Sequence, residues 1–276
     1  MKKIFLALIF ICSVLYSFGQ GRINKFDFEK SNWDAFKNGK VYVVLGQNNP
    51  SYDSILVSSF KKYWKFNKFE FINADKYAMI QTSPSNFFLI TSNIEISGQN
   101  GYSTLSYLYI SQGNKLGQLQ YFTPLTNIQI GCETTNTKIE LPVFIKNLDW
   151  YCNLVYSGKV TSKKMYDKLV DGNLSQIKSK PLYILDTDLN NRVKSVEDIR
   201  KDYTGKVYVV SEKEMAEIIN KDEDANIFFC VGSIGLKKAF DYVYSIKTGE
   251  KLYDGFNIIS TLWPSGIIYY HYKNWN

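Results

Sequence analysis

Short apolar runs alternate along this chain with segments of helical periodicity, and the alternation passes twice through the same order. Continuous apolar runs are typical of strands buried on both faces, whereas apolar residues three or four positions apart are typical of helices. The first series predicts strands at 40–45, 69–72, 86–91 and 105–110, a helix at 52–63 and a short polar-apolar stretch at 74–81. The second series predicts strands at 181–185, 206–211, 226–231 and 240–246, with helices at 195–203 and 212–220.

The two series keep nearly constant spacing, since Lys68 corresponds to Lys206 and Asn86 to Asn226 at similar separations. The sequence therefore predicts an α/β protein with mixed sheets, built as two tandem, duplicated β-α-β-α-β-β units that are joined by a helix. The early strands of each unit are expected to be parallel, and the last ones antiparallel. Convergence is the alternative, because any two α/β segments share a strand-helix rhythm.

These patterns divide the chain into six segments. A proline at 142 is expected in the first turn of the joining helix, where proline is tolerated, and a further helix is predicted at 163–170. The segments are 1–19 (signal peptide), 20–37 (N-terminal segment), 38–120 (first unit), 121–178 (connecting region with a helix at about 141–157), 179–262 (second unit) and 263–276 (a C-terminal strand expected to close a sheet edge).

The first nineteen residues have the pattern of a cleavable export signal. Lys2 and Lys3 precede an uncharged apolar run at 4–18 that is too short for a membrane-spanning helix, which needs roughly 20 apolar residues. Ser17 and Gly19 are small residues at the positions that signal peptidase requires before a cut at Gln20. We expect an extracytoplasmic protein, periplasmic or secreted, without a transmembrane span after cleavage.

Composition indicates a folded, weakly basic protein. The chain is 45% hydrophobic and 16% aromatic, and its net charge of +7 comes from acids and bases that are interspersed along the sequence. This distribution does not predict a nucleic-acid-binding surface. Cleavage leaves Cys132, Cys152 and Cys230, which allow at most one intramolecular disulfide. Cys230 lies in the apolar run 227–231 and is predicted to be a buried thiol.

The census of catalytic residues is unfavourable. His271 is the only histidine, which excludes mechanisms that need two histidines and metals held by several imidazoles. A Ser-His-Asp arrangement would have to use His271, whose ordinary interpretation is a half-buried strand residue. The sequence contains no phosphate-binding loop, dinucleotide fingerprint, nucleophile elbow or zinc-ligand spacing.

The strongest local motif, at 186–197, resembles an EF-hand calcium loop. Asp186, Asp188, Asn190 and Glu197 stand at positions 1, 3, 5 and 12 of such a loop, so that hard oxygens could converge on calcium. The resemblance is incomplete, because Asn191 replaces the glycine of the sharp turn, Lys194 places a cation at position 9, and a strand precedes the loop.

A plain strand-to-helix turn is the alternative interpretation of this motif. Asn190 and Asn191 align with Asn48 and Asn49 of the first unit, where no aspartates precede them. Asparagine tolerates the left-handed conformation and caps helices, so the shared pairs predict a shared turn. The turn is favoured over calcium, and no other cofactor is expected.

Two further patterns suggest chemistry. Asp186 and Asp188 at the end of one strand, with Ser211 at the end of another, are similar to the first two motifs of haloacid-dehalogenase-type phosphotransferases. The later aspartate pair of that family is missing, since Val231-Gly-Ser233 ends the corresponding strand. The segment 60–71 interleaves lysines with aromatic residues, as a stacking platform for bases or sugars does; a helix end running into an amphipathic strand explains it equally well.

Two functions remain compatible with the sequence. The first is a non-catalytic binding or assembly protein of a bacterial-type cell envelope, with a protein, peptide or glycan partner. The second is an extracytoplasmic hydrolase that uses paired carboxylates as acid and base. Two carboxylates about 5 to 9 Å apart in one pocket would favour the hydrolase, whereas acids scattered over the surface would count against it.

Overall fold

The computed structural model describes residues 27–46, 50–98, 101–114, 120–123, 126–128, 137–189, 193–233 and 238–258. In the first half, these residues form the helices α1 (Lys30–Asn38), α2 (Pro50–Tyr63) and α3 (Ala74–Ile80). The strands of this half are β1 (Lys40–Val44), β2 (Lys68–Ile72), β3 (Phe87–Gly98), β4 (Gly101–Gln112), β5 (Gln120–Tyr121) and β6 (Thr126–Ile128).

The second half begins with a long helix, α4 (Thr137–Tyr156), followed by α5 (Lys163–Gly172) and α6 (Leu174–Ile177). A 3-10 turn, Asp186–Asp188, follows the first strand of this half. The remaining elements are β7 (Leu182–Leu185), α7 (Val196–Arg200), β8 (Val207–Val210), α8 (Glu212–Asn220), β9 (Asn226–Ser233), β10 (Lys238–Ser245) and β11 (Lys251–Ile258).

Both halves build a mixed sheet with the same strand order. Sheet A runs β2-β1-β3-β4-β5, with β6 also on β4, and sheet B runs β8-β7-β9-β10-β11. In each sheet the first three strands are parallel and the later ones antiparallel. The predicted α/β class with mixed sheets is confirmed. The shared order agrees with two tandem units, whose origin by duplication stays a prediction.

In each unit, further strands follow the predicted β-α-β-α-β-β pattern: β5 and β6 in the first unit, and β11 in the second. β5 and β6 pair with β4, so sheet A extends beyond residue 120, and β11 pairs with β10 along nearly its whole length. β5 and β6 were missed because they are only two and three residues long, and the eight-residue β11 was not predicted from its sequence. In their described residues, both halves therefore share the order β-α-β-α-β-β-β.

The helices that connect the parallel strands lie on opposite faces of each sheet. On sheet A, Val41 and Phe87 pack with α1 and α2, whereas Val44 and Phe88 pack towards α3. On sheet B, Ile184 packs towards α7 while the opposite face packs against α8. This arrangement is that of a doubly wound sheet, in which the first crossover leads from the first strand to the second, and the next leads from the second strand back to the third on the other side of the first.

Helix α4 lies between the two sheets and is buried along most of its length. It contacts α2 of the first unit and α8 of the second, so the units present non-equivalent faces to it. Phe144 contacts Phe229 and Tyr244, with ring centroids 5.5 and 5.6 Å apart, and Tyr151 lies 6.3 Å from Trp33. One hydrophobic core therefore spans both units. Among the helices of the described segments, none is both long and apolar enough to cross a membrane.

The position of Pro142 differs from the prediction. Helix α4 begins at Thr137, so Pro142 lies beyond its first turn and inside the helix. A proline there cannot donate a hydrogen bond to the carbonyl of Lys138, a loss that costs about 3 kcal/mol in a helix interior. Pro142 is itself buried in the core, and the packing of α4 on both sides offsets that cost.

Polar side chains of α4 fix its position against both units. The Lys146 ammonium donates to the Ile246 carbonyl at 2.7 Å and forms an ion pair with Asp222. The Asn147 amide donates to the Gly249 carbonyl at 2.8 Å. Towards the first unit, the Asp149 carboxylate accepts hydrogen bonds from the backbone nitrogens of residues 65 and 66 at 2.6 and 2.7 Å. These bonds specify one register for a helix whose apolar surface alone would allow several.

We predict that Gly249→Ala destabilises the protein more than Gly158→Ala. Both glycines have positive φ, 72° and 76°, which costs about 1 kcal/mol for alanine. A Cβ at Gly249 would lie 2.6 Å from the Asn147 nitrogen, whereas a Cβ at Gly158 meets nothing within 4 Å. Urea unfolding should give an additional loss of about 1 to 3 kcal/mol for Gly249→Ala. Equal losses would contradict the close packing of this turn on α4.

Candidate functional site

The strand order of each sheet reverses beside its first strand, and ligands of doubly wound folds bind outside the carboxyl ends of strands at such points. In sheet A, the carboxyl end of β1 leads through Gly46 towards the start of α2. In sheet B, the carboxyl end of β7 leads directly into Asp186–Asp188. The carboxylate of Glu140, in the first turn of α4, interacts electrostatically with both Tyr52 and Asp188. Helix α4 thus places one acidic side chain, that of Glu140, near the positions in both sheets where the strand order reverses.

Asp188 is the most perturbed carboxyl group at this place. Its side chain is only 8% exposed, and Oδ2 has no hydrogen-bond partner among the described groups. Burial raises the pKa of Asp188 well above its usual range, and the nearby carboxylates of Glu140 and Asp241 raise it further. A hydrogen bond from the Cys230 backbone opposes these effects but does not reverse them.

The other two acids are buried as well. Glu140 is 3% exposed, and Asp241 lies fully buried on β10, opposite Cys230 of β9. A carboxyl group that stays protonated near neutral pH beside other carboxylates can donate a proton while its neighbours accept one. The arrangement is therefore chemically capable of acid-base work. It was missed at the sequence level because Glu140 and Asp241 lie in a helix and a strand, where single acids normally face solvent.

Close to this cluster, the Tyr52 hydroxyl lies 2.6 Å from Oγ1 of Thr91. Burial raises the pKa of Tyr52, and the charge of Glu140 contributes in the same direction. Tyr52 lies in the first turn of α2 and Thr91 lies on β3, so this contact joins the first crossover helix to the strand beside β1. The first unit thus contributes neutral hydroxyl groups to a region where the second contributes carboxyl groups.

The structure does not bring the acidic residues of the predicted calcium loop together. Asp186 is exposed, Asp188 is buried, and Glu197 is exposed in the first turn of α7. Asn190 lies outside the described residues. Among the residues that the structure describes, no three His, Cys, Asp or Glu side chains form a group that could hold a metal ion. Calcium binding stays a prediction without support from this geometry.

The details around α7 and α8 match helix starts. Ser195 accepts a hydrogen bond from the Asp198 nitrogen and caps α7, as expected for a strand-to-helix turn. Ser211, the serine of the phosphotransferase resemblance, caps α8 in a reciprocal capping box with Glu214. Both serines are therefore engaged in helix capping.

The aromatic residues of the segment 60–71 do not form an exposed stacking platform. Phe60, Trp64 and Phe66 are each at most 2% exposed and belong to the main core. Phe60 and Trp64 stack on each other with ring centroids 4.9 Å apart. The structure shows a helix end that runs into an amphipathic strand, which is the alternative interpretation of this segment.

An open groove follows the outer face of α2, with a volume of about 590 Å³. The inner face of this helix is buried, so its outer residues are held on a rigid element. Asp53 accepts a hydrogen bond from the Gly46 nitrogen at 2.9 Å, which joins the groove to the carboxyl end of β1. The sequence did not predict this groove, because the outer face of an amphipathic helix is normally expected to face solvent. The lining residues are Pro50, Asp53, Ser54, Val57, Ser58 and Lys61.

Several predictions lie outside the described residues: the signal peptide, the asparagine pair at 48–49, the C-terminal strand, and the pairing of Cys132. His271 also falls there. Cys152 and Cys230 are both buried, so the predicted burial of Cys230 is confirmed.

No protein-family model, no curated protein and no solved structure matches this chain.

We predict that Asp188→Asn flattens the pH dependence of stability. The folded pKa of Asp188 is raised above the unfolded value near 3.8, so the folded state keeps a proton that the unfolded state loses as pH rises. Stability from this group is therefore present at acidic pH and decreases from about pH 4 upwards, through the raised pKa. Asn at this position cannot ionise, so it removes that loss. At pH 8 the free energy of unfolding of the variant should exceed that of the wild type by more than about 1 kcal/mol.

Urea unfolding at a series of pH values measures this difference, with Asp186→Asn as the matched control. Asp186 lies on the same turn but is exposed, and its charge contributes less than burial does to the raised pKa of Asp188, so its substitution should change the profile much less. Parallel profiles for the wild type and Asp188→Asn would show that Asp188 is ionised in the folded protein.

Proposed function

We propose that this chain is an exported, non-catalytic binding or assembly protein of a bacterial-type cell envelope, and that it binds a peptide or glycan in the groove along α2. The observation that carries the proposal is the groove itself, which combines hydrogen-bonding and apolar side chains on a helix anchored in the core. One end of the groove, at Asp53, lies beside the carboxyl end of β1, where this class of sheet binds ligands.

The chemistry of the lining suits a polar ligand without a large net charge. Asp53 and Lys61 offer opposite charges. The Ser54 hydroxyl can donate and accept hydrogen bonds, and the Ser58 hydroxyl, which donates to the Ile55 carbonyl at 2.9 Å, can accept one. Val57 adds an apolar contact between them. Peptide backbones and sugars present this mixture of donors, acceptors and apolar patches, whereas a nucleic acid would require a dominant positive surface.

We expect Ser54→Trp to abolish ligand binding by filling the groove. Peptide and glycan arrays probed with the mature protein provide the measurement, because they identify a ligand and rank the variants in one experiment. Ser175→Trp is the matched control, since Ser175 is an exposed helix serine in the second unit. Equal binding by both variants would place the ligand elsewhere, and an absence of ligands in both libraries would count against the proposal.

The export part of the proposal rests on the lysines and the apolar run at the start of the sequence. We expect native material, purified from cells that produce it, to begin at Gln20 when its intact mass and N-terminal peptide are determined. A protein that still begins with Met1 would contradict signal cleavage and the extracytoplasmic location with it.

A carboxylate-dependent hydrolase is the second candidate, and the cluster around Asp188 favours it. In such an enzyme a protonated carboxyl group acts as the acid and an ionised one as base or nucleophile. If glycoside substrates are hydrolysed, Asp188→Asn should reduce kcat at least about a hundredfold, while Asp186→Asn should leave it unchanged. Hydrolysis that survives Asp188→Asn would remove this candidate.

A further inference from the structure

The lysines of the segment 60–71 are all exposed, although several of its aromatic residues are buried. Within the described residues, the side chains of Lys65 and Lys68 make no hydrogen bond or ion pair. The loop that carries them is anchored, because the Asn67 amide donates to the Phe36 carbonyl at 2.6 Å. Two unpaired ammonium groups are thus held on a fixed part of the fold.

Two further lysines extend this charge across the same end of the first unit. Lys68 begins β2 and lies beside Lys40, the first residue of β1, in the parallel pairing of the two strands. Lys37, in the last turn of α1, donates to the Phe66 carbonyl, so its ammonium group lies against the loop between α2 and β2. The amino ends of two strands and the end of a helix therefore present lysines together.

An exposed aromatic ring lies beside these lysines. Tyr156, the last residue of α4, is 36% exposed. The centroid of its ring lies 5.4 Å from the Lys30 ammonium and 5.6 Å from the Lys37 ammonium. Tyrosine has an apolar ring with a polar hydroxyl, and it is enriched where proteins meet the interface between membrane and water. The lysines and this ring form what we call the basic surface: Lys30, Lys37, Lys40, Lys65, Lys68 and Tyr156.

Nearby carboxylates neutralise only part of this charge. Asp34 pairs with Lys30 and Glu70 pairs with Lys40, both at 2.8 Å. The half-buried Asp149 carboxylate is engaged by two backbone nitrogens of the loop. In the described part of the chain, the other three lysines of the basic surface form no ion pair. The surface therefore carries a net positive charge.

The chemistry of the basic surface favours a layer of mobile anionic groups over a single ligand. It contains no arginine, whose planar guanidinium would recognise one phosphate or carboxylate in a fixed geometry. Lysine ammonium groups act as point charges on flexible stems, and their attraction to a charged layer is additive without a defined geometry. Two of them lie over the Tyr156 ring, in the position that a stacked sugar would need.

We propose that the basic surface binds the protein peripherally to a membrane that contains anionic phospholipid. The lysines then lie in the headgroup layer, and the Tyr156 ring enters the interface beside them. Complementary charge supplies most of the affinity, since each lysine near an anionic bilayer raises the partition coefficient about fivefold. The inference does not depend on the groove of α2.

Co-sedimentation of the mature protein with lipid vesicles tests the proposal. Vesicles of phosphatidylcholine alone are compared with vesicles of phosphatidylcholine and phosphatidylglycerol, in about 0.1 M NaCl, where charges act over about 10 Å. The wild type should bind the anionic vesicles and leave the neutral ones. About 1 M NaCl shortens that range to about 3 Å and should release the protein.

Charge reversals test whether the basic surface carries the binding. Lys65→Glu with Lys68→Glu should lower the partition coefficient at least about twentyfold, because two attractive charges become repulsive. The matched control, Lys194→Glu with Lys213→Glu, changes the net charge equally through exposed lysines of the second unit and should retain most of the binding. Tyr156→Ser should weaken binding without changing its dependence on salt, since it removes a ring and no charge. Thermal melts show that each variant is folded.

Equal binding of the wild type to neutral and anionic vesicles would overturn the proposal. Equal losses in the two double variants would overturn it as well, because net charge alone would then explain the binding. A wild type that does not bind anionic vesicles also overturns it. If that protein binds an anionic polysaccharide such as alginate, the basic surface recognises a polymer and not a membrane.

Discussion

The burial of α4 between two sheets is the constraint on which the rest of the structure depends. Its side chains face α2 and sheet A on one side and α8 and sheet B on the other, so neither unit can complete its core without this helix. Lys146, Asn147 and Asp149 convert that apolar packing into one defined register. Burial raises the pKa of Asp149, although the two backbone hydrogen bonds that it accepts oppose the shift.

The same constraint creates the acidic cluster. The first turn of α4 places Glu140 where it interacts with Tyr52 of the first unit and Asp188 of the second. Keeping three carboxyl groups inside a core costs stability unless some of them are protonated or paired. A core that continues through both units buries more apolar surface than a single unit of half the size, and this burial offsets the cost. The groove on α2, by contrast, lies on a surface that α4 leaves open.

Local patterns in the sequence predicted β1 to β4, β7 to β10, the crossover helices and α4, because apolar periodicity within one element decides each of them; α1, β5, β6 and β11 were not predicted. Relations between distant residues were not predictable in the same way. The position of Pro142 depends on where α4 begins, and the pairing of β5 and β6 with β4 depends on contacts that leave little trace in two or three residues. Asp188 was identified, but as a calcium ligand, since its burial beside Glu140 and Asp241 arises only from the packing of three separate elements.

Site-resolved unfolding tests most directly whether α4 joins both units into one cooperative structure. Cys152 lies buried in α4 and Cys230 lies buried in β9. Trp33 and Trp64 are two of the five tryptophans of the chain, and they report on the first unit alone in a variant in which Trp150, Trp263 and Trp275 are replaced by phenylalanine. Thiol labelling across a urea series, read separately for each cysteine by mass spectrometry, can be compared with tryptophan fluorescence on the same samples. A shared core predicts that both thiols become reactive at the urea concentration where the fluorescence changes. Labelling of Cys230 at clearly lower urea, with Cys152 and the fluorescence unchanged, would show that the second unit unfolds independently and would contradict the shared core.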